Sequence, residues 1–120
     1  MATHYKELVV WQKAVALVEE VYRVSTGFPE QERFGLCSQV RRAAVSVPSN
    51  IAEGQGRLSV GEFKQFLGHA RGSLFEVETQ LLIARRLGFL SDEQMMGLSG
   101  LFDETGRLLN GLIRSLRQPS

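Results

Sequence analysis

Apolar residues recur along most of this chain at alternating steps of three and four, the period of a helix buried on one side. Between residues 8 and 26, Val10, Ala14, Leu17, Val21 and Val24 form one stripe, and Trp11, Val15, Val18 and Tyr22 a second beside it. Gln12, Lys13, Glu19, Glu20 and Arg23 take the opposite face. Gly27 suits a C-terminal cap, and Phe28-Pro29 closes the element. A second helix is predicted over 30–53, with Leu36, Cys37, Val40, Ala43, Ala44, Val47 and Ile51 inward. Pro48 falls inside this pattern. A proline there removes a donor and crowds the carbonyl of Ala44, costing about 3 kcal/mol. The period continues at Ile51, so a kink near Pro48 is expected; the other relief is a break, with Val47 or Ser49 non-helical.

Gly54-Gln-Gly-Arg57 reads as a turn, and Ser59-Val-Gly-Glu62 as a capping box opening a helix over 60–87. That helix carries Phe63, Phe66, Leu67, Ala70, Leu74, Val77, Leu81 and Ala84 on one face and ends at Gly88. Ser91-Asp-Glu-Gln94 opens the fourth by the same device, over 92–117, with Leu98, Leu101, Phe102, Thr105, Leu109, Leu112 and Leu116 inward. Gly97, Gly100, Gly106 and Gly111 each weaken it by about 1 kcal/mol relative to alanine, so packing rather than propensity must hold it. Turns this short make neighbours antiparallel. The expected fold is all-α: one domain over 1–120, an antiparallel up-down-up-down four-helix bundle with its second helix kinked.

Composition narrows the function without naming it. The 120 residues are 43% hydrophobic and 22% charged, an ordinary globular balance. No apolar run reaches the length of a membrane span, and the N-terminal residues lack the features of a signal peptide. Cys37 is the single cysteine and has no partner for an internal disulfide, so a reducing cytoplasm is expected. Net charge is +1, which does not suggest a strong polyanion binder, although eleven of the fourteen basic residues are arginine.

Candidate chemistry is sparse. His4, His69 and Cys37 make no zinc spacing, and the Glu-x-x-His pairs of di-iron bundles are missing. No serine or cysteine has a base at a recognisable spacing, so no catalytic residue, metal ligand or cofactor is expected. Two polar stripes stand out instead: Gln39, Arg42, Ser46, Asn50 and Glu53 on helix two, and His69, Ser73, Glu76 and Gln80 on helix three. Their register predicts an interhelical polar network of Arg42, Ser46, Asn50, Glu53, Ser73 and Glu76, with Arg42 paired to Glu76. A ligand groove is the alternative. The glycine turn before helix three makes Arg57, with Lys64 and Arg71 beyond it, candidates for an anion or nucleic-acid contact. On helix three, Phe75, Thr79 and Leu82 form a stripe about 100° away from the core line, with Ile83 nearly opposite that line. On helix one, Val15 and Tyr22 lie at the margin of the apolar face. These positions predict a homo-oligomer contacting through Val15, Tyr22, Phe75 and Leu82.

The strings Gln39-Val-Arg-Arg-Ala-Ala-Val-Ser-Val-Pro-Ser-Asn-Ile-Ala-Glu-Gly54 and Arg71-Gly-Ser-Leu-Phe-Glu-Val-Glu-Thr-Gln-Leu81 carry a resemblance. With Leu8-Val-Val-Trp-Gln-Lys13 and Leu87-Gly-Phe-Leu90, they resemble the bacterial four-helix-bundle family of proteins encoded in intervening sequences of large-subunit ribosomal RNA genes, often labelled S23 ribosomal proteins. The resemblance covers about residues 5–115. It implies a four-helix bundle, commonly a homopentamer, with no assigned enzymatic activity. A related branch is the accessory protein of diversity-generating retroelements, which binds nucleic acid and a reverse transcriptase. That branch is strongly basic, and this chain at +1 departs from it. The leading expectation is a non-enzymatic oligomeric binding module for structured RNA or a nucleic-acid enzyme. The alternative is a protein-interaction scaffold with no nucleic-acid role, and a small-molecule enzyme ranks third.

Overall fold

The computed structural model describes residues 4–116 and contains four α-helices: α1 Val9–Ser25, α2 Leu36–Gln55, α3 Val60–Arg86 and α4 Asp92–Ser115. Short 3-10 turns at Tyr5–Glu7 and Glu30–Glu32 precede α1 and α2. Residue 117, the expected end of helix four, lies outside the described residues, as do 1–3 and 118–120 of the expected domain. The molecule measures 49 × 24 × 23 Å, the proportions of long helices laid side by side. α1 lies against α2 and α4, and α3 against the same two, with α2–α3 the closest pair. α1 and α3 therefore sit on diagonal corners and make no backbone-level contact with each other.

The apolar stripes meet as the periodicity predicts. Leu17 and Val21 of α1, Val40, Val47 and Ile51 of α2, Leu67, Val77 and Leu81 of α3, and Leu98 and Leu109 of α4 lose all contact with solvent. Met95 and Phe28 join this core from outside the expected faces. Thr105 is also wholly buried, and its hydroxyl has no hydrogen-bond partner among the described residues. A buried, unanswered hydroxyl destabilises a fold by about 1–3 kcal/mol. Thr105→Val, which keeps the branched shape, should therefore raise the unfolding free energy by about 1 kcal/mol in a urea melt. An unchanged or lowered midpoint would show that the hydroxyl is satisfied.

The helix ends are built from local chemistry. Ser91 and Gln94 form a full capping box, the Ser91 hydroxyl accepting from Gln94 N–H at 3.1 Å while the Gln94 side chain accepts from Ser91 N–H at 2.8 Å. At α3 only half of the device forms. Ser59 accepts from Glu62 N–H, but the Glu62 carboxylate takes the Ser59 hydroxyl rather than its amide. α3 ends in a Schellman motif, with Phe89 N–H donating to Ala84 and Gly88 N–H to Arg85. Gly88 sits at φ 81°, the left-handed region where a side chain is strained.

Two expectations for helix two change. It starts at Leu36, not residue 30, because Gly35 adopts φ −108°, ψ −115° and offers no capping side chain. The Glu32 carboxylate supplies the cap from the preceding turn, accepting Leu36 N–H at 3.0 Å. The helix then runs unbroken through Pro48, with Val47 and Ser49 helical, so no break occurs and the expected kink is not shown. Near its end Gly54 is buried against α3. A Cβ there would lie 2.8 Å from the Cβ of Phe66 and 3.0 Å from the Phe63 ring.

Candidate functional site

The largest set of hydrogen bonds that one side chain makes between helices lies on the α1–α2 edge, around Arg41. Its Nε donates to the Ser25 hydroxyl at 2.8 Å. One terminal nitrogen donates to the Tyr22 carbonyl at 3.2 Å and the Thr26 hydroxyl at 3.3 Å. The guanidinium also lies 4.6 Å from the centre of the Tyr22 ring, a cation–π distance. The planar fork thus ties α2 to the C-terminal turn of α1, sharing the Tyr22 carbonyl with the Thr26 N–H.

Two open clefts adjoin this clasp. One, of about 340 Å³, is lined by Tyr22, Arg33, Phe34, Cys37, Arg41 and Arg42 among others. The second, of about 440 Å³, is lined by Tyr22, Arg41, Arg42, Val45, Ser46 and Ser49. No carboxylate lines either cleft. Arg42 is exposed and makes no hydrogen bond or ion pair among the described residues. Phe34 is 86% exposed at the mouth of the first cleft, with the Arg33 guanidinium 5.2 Å from its ring centre.

The expected network across α2–α3 does not form. Arg42 and Glu76 face one groove of about 330 Å³, together with Gln39 and Gln80, but make no ion pair. The Ser46 hydroxyl donates to the Ala43 carbonyl at 2.7 Å, and Asn50 donates to the Ser46 carbonyl at 2.7 Å. Glu53 pairs with Arg57 at 2.6 Å, and Ser73 is half-buried without a partner among the described residues. The reason is reach. Short serine and asparagine side chains find carbonyls of their own helix, while neighbouring helix axes stand about 8–10 Å apart.

The anion candidates are not gathered into one site. Arg57 is held by Glu53 and lies 4.5 Å from the Phe66 ring centre. Arg71 donates to the Asn110 side chain of α4 at 3.1 Å, and Lys64 is half-buried with no partner among the described residues. His69 is exposed and meets the Phe66 ring edge-on. Among the described residues, no group of three His, Cys, Asp or Glu could hold a metal ion, and no helix is long and apolar enough to cross a membrane. The apolar surface positions are open: Phe75 is 58% exposed, Leu82 44%, Ile83 45% and Tyr22 42%, whereas Val15 is half-buried.

Periodicity pointed to Arg42 and passed over its neighbour Arg41, although both arginines stand in the same string. Phe34 was also missed. Its signal was a large apolar residue outside any helical period, immediately before a glycine.

The sequence model of the 23S rRNA-intervening sequence protein family matches residues 6–111. The chain belongs to this family. The match takes in all of α1, α2 and α3 and most of α4, including the Arg41 clasp and both clefts. This family member also superposes on the crystal structure of a protein with unknown function from the S23 ribosomal protein family of Bacteroides thetaiotaomicron. The TM-score is 0.82 over 88% of this chain and 96% of that one, at 24% identity, which establishes a common four-helix fold. No curated protein matches the chain.

Proposed function

We propose that this family member is a non-enzymatic, homo-oligomeric binding module of the cytoplasm and that RNA is its ligand. Self-association is carried by the apolar stripe on α3. Phe75, Leu82 and Ile83 are large, about half exposed and close together on a helix whose core face is already filled. Scattered apolar residues are ordinary on a surface, but a contiguous patch marks a contact. The state implied by the family resemblance is a pentamer. Light scattering on a sizing column should give a multiple of 13.4 kDa at micromolar protein, and a mass near 13.4 kDa would refute assembly. Phe75→Glu combined with Leu82→Glu should yield a soluble, fully helical monomer, since neither ring nor side chain fills the core. Unchanged mass in that variant would move the contact elsewhere.

The RNA half of the proposal is supported by the two arginine-lined clefts on the α1–α2 edge, whose linings include no carboxylate. A protein scaffold with no nucleic-acid role is the competing reading. Salt titration separates them: RNA affinity should fall linearly in log–log form with added salt, in proportion to the phosphates neutralised. No RNA binding at low salt and micromolar protein would leave the scaffold.

A further inference from the structure

Arginine and aromatic side chains are brought together on the α1–α2 edge in a way that suits one kind of ligand. Arg41 is pinned by its three hydrogen bonds, so its charge is presented in a fixed place. Arg42 carries a free guanidinium beside it, and Arg33 is held by an exposed Glu30 at 3.7 Å and by the Phe34 ring, 5.2 Å from its guanidinium. No carboxylate lines either cleft, and the Tyr22 carbonyl there is already taken by Arg41; Arg42 also faces Glu76 across the α2–α3 groove but makes no ion pair with it. Phe34 offers a flat ring, almost entirely exposed, at the same mouth. A stacking ring flanked by cations is the composition of a single-strand site, where bases lie on rings and phosphates follow the charges. A paired strand keeps its bases stacked inside the helix and offers them to no such ring. An acidic peptide would satisfy the arginines but leave Phe34 unused.

We infer that the α1–α2 edge binds an unpaired RNA segment, one base stacking on Phe34 and the adjoining phosphates meeting Arg33 and Arg42. Arg41 acts as a positioning residue that keeps Tyr22 and the cleft wall in place. The inference rests on the RNA reading above and names its site. With a net charge of +1 the molecule supplies little long-range attraction, so the contact is short and involves few phosphates.

The test is fluorescence anisotropy with a labelled oligouridylate across a salt series. Two or three neutralised phosphates on a single strand give a log–log slope of about −1.4 to −2.1. Arg42→Ala should make that slope shallower by about 0.7, because one phosphate contact is lost. Phe34→Ala should weaken binding about 5- to 150-fold while leaving the slope unchanged, the signature of lost stacking. Both side chains are exposed, and circular dichroism confirms that the variants fold. Unchanged oligouridylate binding in both variants overturns the site but spares the RNA reading. So does wild-type protein that binds duplex RNA and not the oligouridylate. Failure to bind either RNA overturns both. Binding of polyglutamate that depends on Arg42 and not on Phe34, with equal affinity to RNA, assigns the edge to an acidic protein and overturns the inference.

Discussion

Gly54→Ala should lower the unfolding free energy by about 2 kcal/mol, although alanine is the better helix former. The added methyl would gain up to about 1 kcal/mol of helix propensity. Against that, it would lie 2.8 Å from the Cβ of Phe66, 3.0 Å from the Phe63 ring and 3.4 Å from the Phe63 carbonyl. The Phe66 Cβ is fixed to its backbone and cannot swing aside as a flexible side-chain end would. α2 and α3 must separate at their closest pairing, loosening Leu67 and Ile51 nearby. Overpacking of this kind costs about 1–3 kcal/mol or more. The contrast within the same chain makes the test sharp. Gly72 and Gly97 are exposed, and a Cβ there would meet nothing within 4 Å. Gly72→Ala and Gly97→Ala should each stabilise by up to about 1 kcal/mol. Urea melts at one fixed protein concentration compare the three. A stabilised Gly54→Ala would mean that α2 and α3 yield at Phe66 without loss of packing.

Arg41→Ala should destabilise by about 1.5 kcal/mol, while Arg42→Ala, one residue on, stays within about 0.5 kcal/mol of wild type. Arg41 spans sixteen residues to reach Ser25, whose side chain is buried. Its loss removes charge-assisted bonds to the end of α1 and uncovers the Tyr22 ring. Part of the guanidinium meets solvent, which keeps the figure below that of a fully buried group. Arg41→Lys should recover roughly half or less, because a single ammonium cannot reach Ser25 and Tyr22 in the same plane. Equal effects at Arg41 and Arg42 would show that the clasp does not hold α1 to α2.

How much of this could be read from the chain depended on the kind of interaction. Helix number, order and core faces follow from apolar spacing, since burial acts on every third or fourth residue and leaves a repeated mark. The start of α2 was misplaced because Glu30–Glu32 and Arg33 suit a helix individually, and only the Gly35 backbone ends that preference. The Arg42–Glu76 pair failed for a different reason. A polar stripe tells which side of a helix avoids the core, but adjacent residues differ by about 100° in direction. Arg41 turns toward α1, while Arg42 stands between the α1–α2 clefts and the groove with Glu76, and only the rotation of α2 in the bundle decides which arginine meets a partner. Phe34 left no periodic mark at all, because a residue in a turn serves no helix face.

The diagonal placement of α1 and α3 constrains how copies of this protein can join. Were α1 of one copy to meet α3 of the next, each copy would present two different patches, a donor corner and an acceptor corner. Such contacts are heterologous and cannot be saturated in a two-fold dimer. They either close into a ring or continue as an open filament, and the angle between the corners selects the outcome. A subunit carrying Phe75→Glu and Leu82→Glu would still present an intact α1 corner. Mixed with wild type, it would cap growing ends and poison closure, so a minority of variant subunits would dismantle the assembly.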